Sequence, residues 1–307
     1  MSSILLTGAT GFIGSHLLDV LVRLNKQVVV AKRSTSDTWR IKHLLDSVSV
    51  CNVDESSIDS IFEEHNIETI IHLATLYRKF DSVGDLKNMV DSNVTFPLQL
   101  IETGLRKNLK LFVNTGTYFE YDCTELPVRE TAAIKPFNLY ARTKLAFESM
   151  LESYASQISV RTFRLFSPYG EKDNKKLIPY IIQSAVNHEP LKLSEGLQKL
   201  DFVYVTDIVD AYLKVIESVN ENASKYEVFN IGSGVAISVR EVVSLVEQQL
   251  GESINKSWGD PSIVDYPLVV ADVSKAKKLL GWSPKISMRQ GIANIFEYYS
   301  KQKVDEN

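Results

Sequence analysis

The sequence predicts an α/β fold, a doubly wound parallel sheet followed by a smaller α/β C-terminal lobe. Three observations predict it. Short β-branched runs alternate with stretches of helical apolar spacing through the first half of the chain, a pattern that means repeated strand-helix-strand units. A glycine-rich turn joins the first run to the first helical stretch. From about Tyr169 the strict alternation lapses. Strands that are apolar on both faces and joined by helices belong in a sheet covered on both sides, with ligands at the carboxyl ends of its strands.

Taken in order, "SILLTG" is the first strand, and it runs through glycines into a helix with Leu17, Leu18, Leu21 and Leu24 on one side. "QVVVAK", "VSVCNV", "ETIIHLA", "KLFVNTG" and "SVRTFRLF" follow as strands, and the stretch around Tyr140 reads as helix to Tyr154. Beyond Tyr169, "DFVYVTDIVDAYLKVIES" reads as a strand and a helix. "VFNIGSG" is a short strand, an amphipathic helix covers Ser238 to Leu250, and a last helix follows "GWSP". The expected division is one domain of residues 1–168 that also receives about 202–229, and a lobe of 169–201 and 230–307. The polar end "KQKVDEN" is expected to fray.

Composition excludes several classes of function. The chain has 307 residues, 44% hydrophobic and 23% charged, the balance of an ordinary globular protein. Its 34 basic against 38 acidic residues offer no broad cationic face for nucleic acid or an anionic membrane, so any basic cluster has a local purpose. Two isolated cysteines, Cys51 and Cys123, cannot build a disulfide framework, and the five histidines lack ligand spacing, so no metal is expected. Without a signal-like leader or an apolar run approaching the ~18 to 20 residues that span a bilayer, the expected setting is cytoplasmic.

The first motif with chemistry is "LLTGATGFIGSHL". Gly8, Gly11 and Gly14 lie directly after a strand and before a helix. Missing side chains there let the backbone approach a pyrophosphate, and the helix N-terminus favours its negative charge. Dinucleotide binding follows, with Thr10, Phe12 and Ile13 as further expected cofactor contacts. The second strand then ends in Lys32 and Arg33, eighteen positions beyond Gly14, where the general fingerprint has an acid for the ribose hydroxyls. Cations there suit a 2′-phosphate instead, with Ser34 and Ser36 as added donors, so the expected cofactor is NADP rather than NAD.

The second motif is "NLYARTK". Tyr140 and Lys144 are four apart in a helical stretch and project from one face, so both can meet one bound molecule. Upstream, Thr115 and Thr117 put hydroxyls at a carboxyl strand end, where this architecture places its active site.

With "TGATGFIG", "IIHLAT", "NVTFPLQLIE", "NTGTYFEY", "YARTK", "RLFSPYG", "LDFVYVTDIVDAY", "NIGSG" and "LGWSP" in this order, nearly the whole chain resembles the extended short-chain dehydrogenase/reductases, the NAD-dependent epimerase/dehydratase family. The resemblance implies a Rossmann-type domain with a substrate lobe, and a homodimer through the two helices Leu86–Arg106 and Leu139–Tyr154. It also implies a catalytic set in which Thr117 polarises the substrate oxygen and Tyr140 is the general acid or base. In that set Lys144 binds the nicotinamide ribose and lowers the tyrosine pKa, since a neighbouring cation favours a phenolate. Leu73, Ala74 and Thr75 resemble the segment against the cofactor, Phe166 and Pro168 the segment near the nicotinamide, and Asn93 the asparagine that supports the active site.

The likeness also narrows the reaction. Sugar 4,6-dehydratases of the family follow the threonine with an Asp-Glu pair, whereas Tyr118 and Phe119 stand here. The cationic cofactor clamp favours a ketoreductase of a keto-deoxy sugar, which the resemblance implies to be nucleotide-linked, over a 4-epimerase that retains its cofactor or a non-catalytic NADP-binding protein. "IIHLATLY", "LIPYII" and "GLQKLDFVYVTD" resemble the CDP-abequose and CDP-paratose synthases, which reduce 4-keto dideoxy sugars. Two arginines usual in the family are replaced by Leu200 and Ser262. Lys192, Lys199 and Lys256 are the cations left to replace them, while Asp260 and Asp265 would repel a diphosphate. His72 is expected as a packed strand residue.

Overall fold

The computed structural model describes residues 2–78, 80–173, 176–218, 225–259 and 266–305. In chain order its elements are β1 (Ser3–Thr7), α1 (Phe12–Arg23), β2 (Val28–Lys32), β3 (Ser49–Asn52), α2 (Ile58–Glu64), β4 (Ile67–His72), α3 (Leu86–Val90), α4 (Phe96–Leu105), β5 (Leu111–Thr117), α5 (Leu139–Tyr154) and β6 (Ser159–Leu165). There follow β7 (Pro168–Tyr169), α6 (Leu177–Val186), β8 (Leu191–Leu193), β9 (Lys199–Asp201), β10 (Val203–Tyr204), α7 (Val205–Glu217), β11 (Tyr226–Ile231), β12 (Ala236–Ser238), α8 (Val239–Leu250), β13 (Lys256–Trp258), α9 (Ser274–Leu280) and α10 (Met288–Asp305).

The chain forms two compact units. The first contains Met1–Asp122, Ala133–Leu165 and Val209–Phe229. Its strands belong to a seven-stranded sheet of order β11-β6-β5-β4-β1-β2-β3. The pairs from β3 to β6 are all parallel. The order reverses between β1 and β4, and this switch opens a crevice at the carboxyl ends of those strands. Leu5, Val29, Ile70, Phe112 and Val160 of the sheet pack with Ile61, Leu100, Ile101, Phe147 and Leu151 of the helices in one buried cluster. Apolar residues on both faces of the strands make this burial possible, as in other parallel sheets. The helix expected over Leu86–Arg106 is interrupted: α3 and α4 are joined by a π turn over Asp91–Thr95, and such turns are frequent at functional sites.

The second unit contains Cys123–Ala132, Phe166–Ile208 and Asn230–Asn307. It takes Cys123–Ala132 and residues 202–208, segments that the sequence reading assigned to the first domain. The reason is hydrogen bonding. Val128 donates to Val270 O and accepts from Asp272 N, both at 2.8 Å, and Asn230 Nδ2 donates to Val128 O at 2.9 Å. Within 202–208, Val203 and Tyr204 pair with Pro168 and Tyr169. Asp207 O accepts the indole N–H of Trp282 at 2.8 Å, and its carboxylate accepts from Lys285 N and Ile286 N.

Candidate active site

The first unit brings most of the expected residues to one sheet edge. Between β1 and α1 the chain turns so tightly that Gly8 lies at φ +73°, the left-handed region that favours glycine. A Cβ on Gly14 would sit 2.1 Å from Gly8 O, and one on Gly8 would sit 2.6 Å from Ala74 N and Leu73 C. The loop is therefore a cradle that side chains would fill, backed by Leu73 and Ala74. Gly11 caps α1 with no side-chain acceptor and no acid follows in the first turn, so the helix end presents backbone N–H groups to an anion. This fits a dinucleotide pyrophosphate. Phe12 packs edge-on to His16, while Thr10, through its carbonyl, accepts from Arg40 at 3.5 Å. Thr10, Phe12 and Ile13 are half-buried around the cradle. Arg40, which sequence reading missed, lies over the Trp39 ring at 4.4 Å.

At the end of β2, Lys32 is half-buried and donates to Asn52 Oδ1 at 2.9 Å, while Arg33 is exposed. Ser34, expected as a phosphate donor, gives both its backbone N–H and its hydroxyl to the Asp54 carboxylate at 2.8 and 2.7 Å. These donors hold the Asp54 carboxyl below the usual carboxylate range.

The expected set, Thr117, Tyr140 and Lys144, stands on β5 and α5. Thr117 ends β5, 7% exposed, and begins a tight turn in a reciprocal cap: Phe119 N donates to its hydroxyl at 3.3 Å, and its own N–H donates to Glu120 Oε1 at 2.8 Å. Asn138 starts α5 by accepting from Ala141 N at 2.9 Å. That start fixes the helix phase, and Tyr140, Lys144 and Glu148 share its buried face. Thr115 spends its hydroxyl proton on His72 O at 2.9 Å and meets Tyr212 Oη at 2.6 Å, so this hydroxyl crosslinks β4, β5 and α7. His72 is enclosed by Phe96, Phe112 and Phe147, and burial followed by the Lys144 charge keeps it well below its ordinary pKa.

Asn93, on the π turn, supports this set. Its Oδ1 accepts from Thr75 Oγ1 at 3.0 Å and Leu76 N at 2.8 Å, and its Nδ2 donates to Leu76 O and to Thr143 Oγ1. Thr143 in turn donates to Tyr140 O at 2.8 Å. Tyr140 meets the Tyr77 ring edge-on at 4.9 Å.

Electrostatics correct one expectation. The Tyr140 phenol lies above its ordinary range, not below it: burial first, then Glu120 and Tyr77, push it up, opposed by the hydrogen bond it shares with Thr75. Burial also draws Lys144 down to about 8, against Glu120 and Glu148. Desolvation outweighs the pair interaction because both groups are almost wholly out of water. Glu120, Glu148 and Arg164 escaped the sequence reading. Glu148 alone carried a signal, its spacing one turn after Lys144.

Phe166 and Pro168 belong to the second unit. Phe166 is buried and donates its N–H to Ile231 O at 2.9 Å, while Pro168 is half-buried on β7. Leu200, half-buried, pairs with Ile237 across β9 and β12, and Lys192 and Lys199 are exposed. Lys256 is neutralised by Glu247. Asp201 is buried and accepts from Ser233 N and Oγ, Gly234 N and Ala271 N. Ser262, Asp260 and Asp265 lie outside the described residues. Among the described residues, no group of three or more His, Cys, Asp or Glu is placed to hold a metal ion, and no helix is long and apolar enough to cross a membrane.

Known proteins resemble the chain along nearly its whole length. It is 30% identical to a CDP-abequose synthase of Salmonella typhimurium, covering 96% of this chain and 97% of that one. The solved UDP-glucose 4-epimerase of Thermotoga maritima with UDP-glucose superposes with a TM-score of 0.89 at 27% identity, over 98% and 99% of the two chains. MoeE5 in complex with UDP-glucuronic acid and NAD gives 0.86 at 28% identity, over 98% and 100%. The family model described as the NAD dependent epimerase/dehydratase family matches residues 4–232, and the chain belongs to that family.

Proposed function

We propose that the protein is an NADPH-dependent reductase of a nucleotide-linked keto-deoxy sugar, acting on its C4 carbonyl. The observation that carries this reading is the cationic end of β2, Lys32 followed by Arg33, beside an intact Thr117, Tyr140 and Lys144 set. A guanidinium forks onto phosphate oxygens and an ammonium adds a point charge, and neither accepts a ribose hydroxyl proton as a carboxylate does. The glycine cradle would hold the pyrophosphate of NADPH, which when bound would supply a hydride from its nicotinamide. Tyr140 gives the sugar oxygen its proton, Thr117 hydrogen-bonds that oxygen, and Lys144 holds the nicotinamide ribose. A dehydratase would need a second acid-base pair after Thr117. Tyr118 and Phe119 are buried rings 4.4 Å apart, and Glu120 is turned to the Thr117 N–H and Arg164. The first unit is assigned the cofactor and the second the sugar and its nucleotide, in a cytoplasmic homodimer formed through α3, α4 and α5.

Turnover tests this reading: NADPH oxidation is followed against CDP-, dTDP-, GDP- and UDP-linked 4-keto-6-deoxy sugars, with NMR of the product. The reading predicts one alcohol formed at C4 for one panel member. Cofactor choice has its own test. NADPH binds more tightly than NADH, and Lys32→Asp with Arg33→Ala reverses the order, each charge-assisted contact being worth ~1.5–3 kcal/mol. Equal affinity of the wild type for both cofactors would reduce these cations to surface charge.

One observation favours a second reading. The Asp54 carboxylate, bound to Ser34 and held low in part by the Lys32 charge, stands among the groups that would receive a 2′-phosphate. Under that reading the chain is a nucleotide-sugar 4-epimerase that retains NAD, and NAD copurifies with it.

A further inference from the structure

Behind Tyr140 and Lys144 the first unit buries a group of charges to which the reading above gives no role. Glu120 is fully buried at the end of the turn Tyr118–Glu120. Its Oε1 accepts the Thr117 N–H at 2.8 Å and its Oε2 lies 3.2 Å from Arg164 Nε. Arg164, on β6 and also buried, forks onto Glu148 through Nη2 at 2.5 Å and Nε at 3.3 Å. Glu148 acts on Glu120 as a neighbouring like charge. Gly116 closes the group from above: a Cβ there would lie 2.9 Å from Glu120 Oε1, 3.2 Å from Arg164 Cγ and 3.3 Å from Glu148 Oε2. The Tyr121 ring covers the guanidinium at 4.5 Å.

Arg164 and Glu148 by themselves make a neutral, bidentate pair. A second carboxyl in the same dry pocket must either hold a proton or find another cation, because an unmatched buried charge is costly. A further buried cation, Lys144, is 2% exposed, stands one helical turn before Glu148 on the same buried face of α5, and feels both carboxyls. Glu120 thus touches the Thr117 backbone directly and the Lys144 ammonium through its field.

We propose that Glu120 is a positioning residue that holds Thr117 in place and sets the charge carried by Lys144, tying the two sides of the reaction site to one buried carboxyl. The proposal rests on the roles given above to Thr117 and Lys144. Burial and then Glu148 push the Glu120 carboxyl well above the usual carboxylate range, while Arg164 and the Thr117 N–H oppose them. The other titratable groups facing this cluster are Tyr121, Tyr140, Tyr226 from β11 and His72 from β4. As pH rises Glu120 loses its proton, and the carboxylate so formed helps Lys144 to keep its own. Gln at this position still offers an oxygen to the Thr117 N–H but stays neutral at every pH. Lys144 in Glu120→Gln therefore loses its proton at lower pH than in the wild type.

The test is a ¹³C NMR titration of protein labelled at lysine Cε, with Lys144 identified as the signal absent from Lys144→Met. The Lys144 midpoint falls by about one unit in Glu120→Gln and stays near the wild-type value in Glu120→Asp, which retains the charge. In wild-type protein labelled at glutamate Cδ, Glu120 titrates above the ordinary carboxylate range. This second measurement needs no folded variant. Neither needs cofactor or sugar, so failure of the reductase reading would leave both intact. With an active substrate, the basic limb of kcat/KM moves down with the Lys144 midpoint. An unmoved midpoint in folded Glu120→Gln, an equal displacement in the Asp and Gln variants, or a wild-type Glu120 that titrates in the ordinary carboxylate range would each overturn the proposal.

Discussion

Tyr140→Phe is expected to lower turnover by ~10²–10⁴-fold, the range typical for loss of a general acid, while the affinity for NADPH changes little. The phenol lies 9% exposed on the packed face of α5, against the edge of Tyr77, so removal of one oxygen leaves the helix and its contacts as they are. What disappears is the proton donor and the hydrogen bond to Thr75. A tyrosine kept protonated by burial is in the right state to give a proton to a developing alkoxide, which suits carbonyl reduction. Single-turnover kinetics with bound NADPH, which isolate the chemical step, check this. Near wild-type turnover in the Phe variant would remove Tyr140 from the reaction.

A smaller loss is expected from Gly14→Ala, through binding rather than chemistry. The added methyl carbon would stand 2.1 Å from Gly8 O and 2.9 Å from Ala9 Cα, both backbone, so no side chain can rotate to make room. Either the β1 to α1 turn opens or α1 shifts, and both displace the N–H groups meant for the pyrophosphate. Overpacking of this kind costs about 1–3 kcal/mol, on the order of 10- to 100-fold in cofactor affinity. Fluorescence titration with NADPH reads the effect, and an unchanged dissociation constant would mean that the pyrophosphate binds elsewhere.

The glycine cradle and the Tyr140 and Lys144 pair were legible in the sequence because each is local. A loop that must admit backbone shows missing side chains at fixed spacing, and a helix face shows its residues four apart. The parallel sheet was legible for the same reason, each strand carrying its own apolar run. Arg164 and Glu120 were not, because only the packing of β6 beside β5 brings this arginine under the turn after Thr117. The transfer of Cys123–Ala132 to the second unit was equally hidden, since it depends on partners as far away as Asp272, 143 positions beyond Arg129. The engagement of Ser34 with Asp54 joins two strand ends 20 residues apart, and composition at either end does not announce it. Spacing along the chain thus marked the candidate groups, and tertiary packing decided their electrostatics.

The most direct test follows the label from NADPH deuterated at nicotinamide C4 into the sugar, with the active 4-keto substrate and a count of NADP⁺ formed. The account predicts deuterium at C4 of the product, one NADP⁺ for each sugar reduced and the cofactor free to exchange after every turnover. Interconversion of C4 epimers with no net NADPH consumed, by enzyme that keeps NAD through purification, would contradict it.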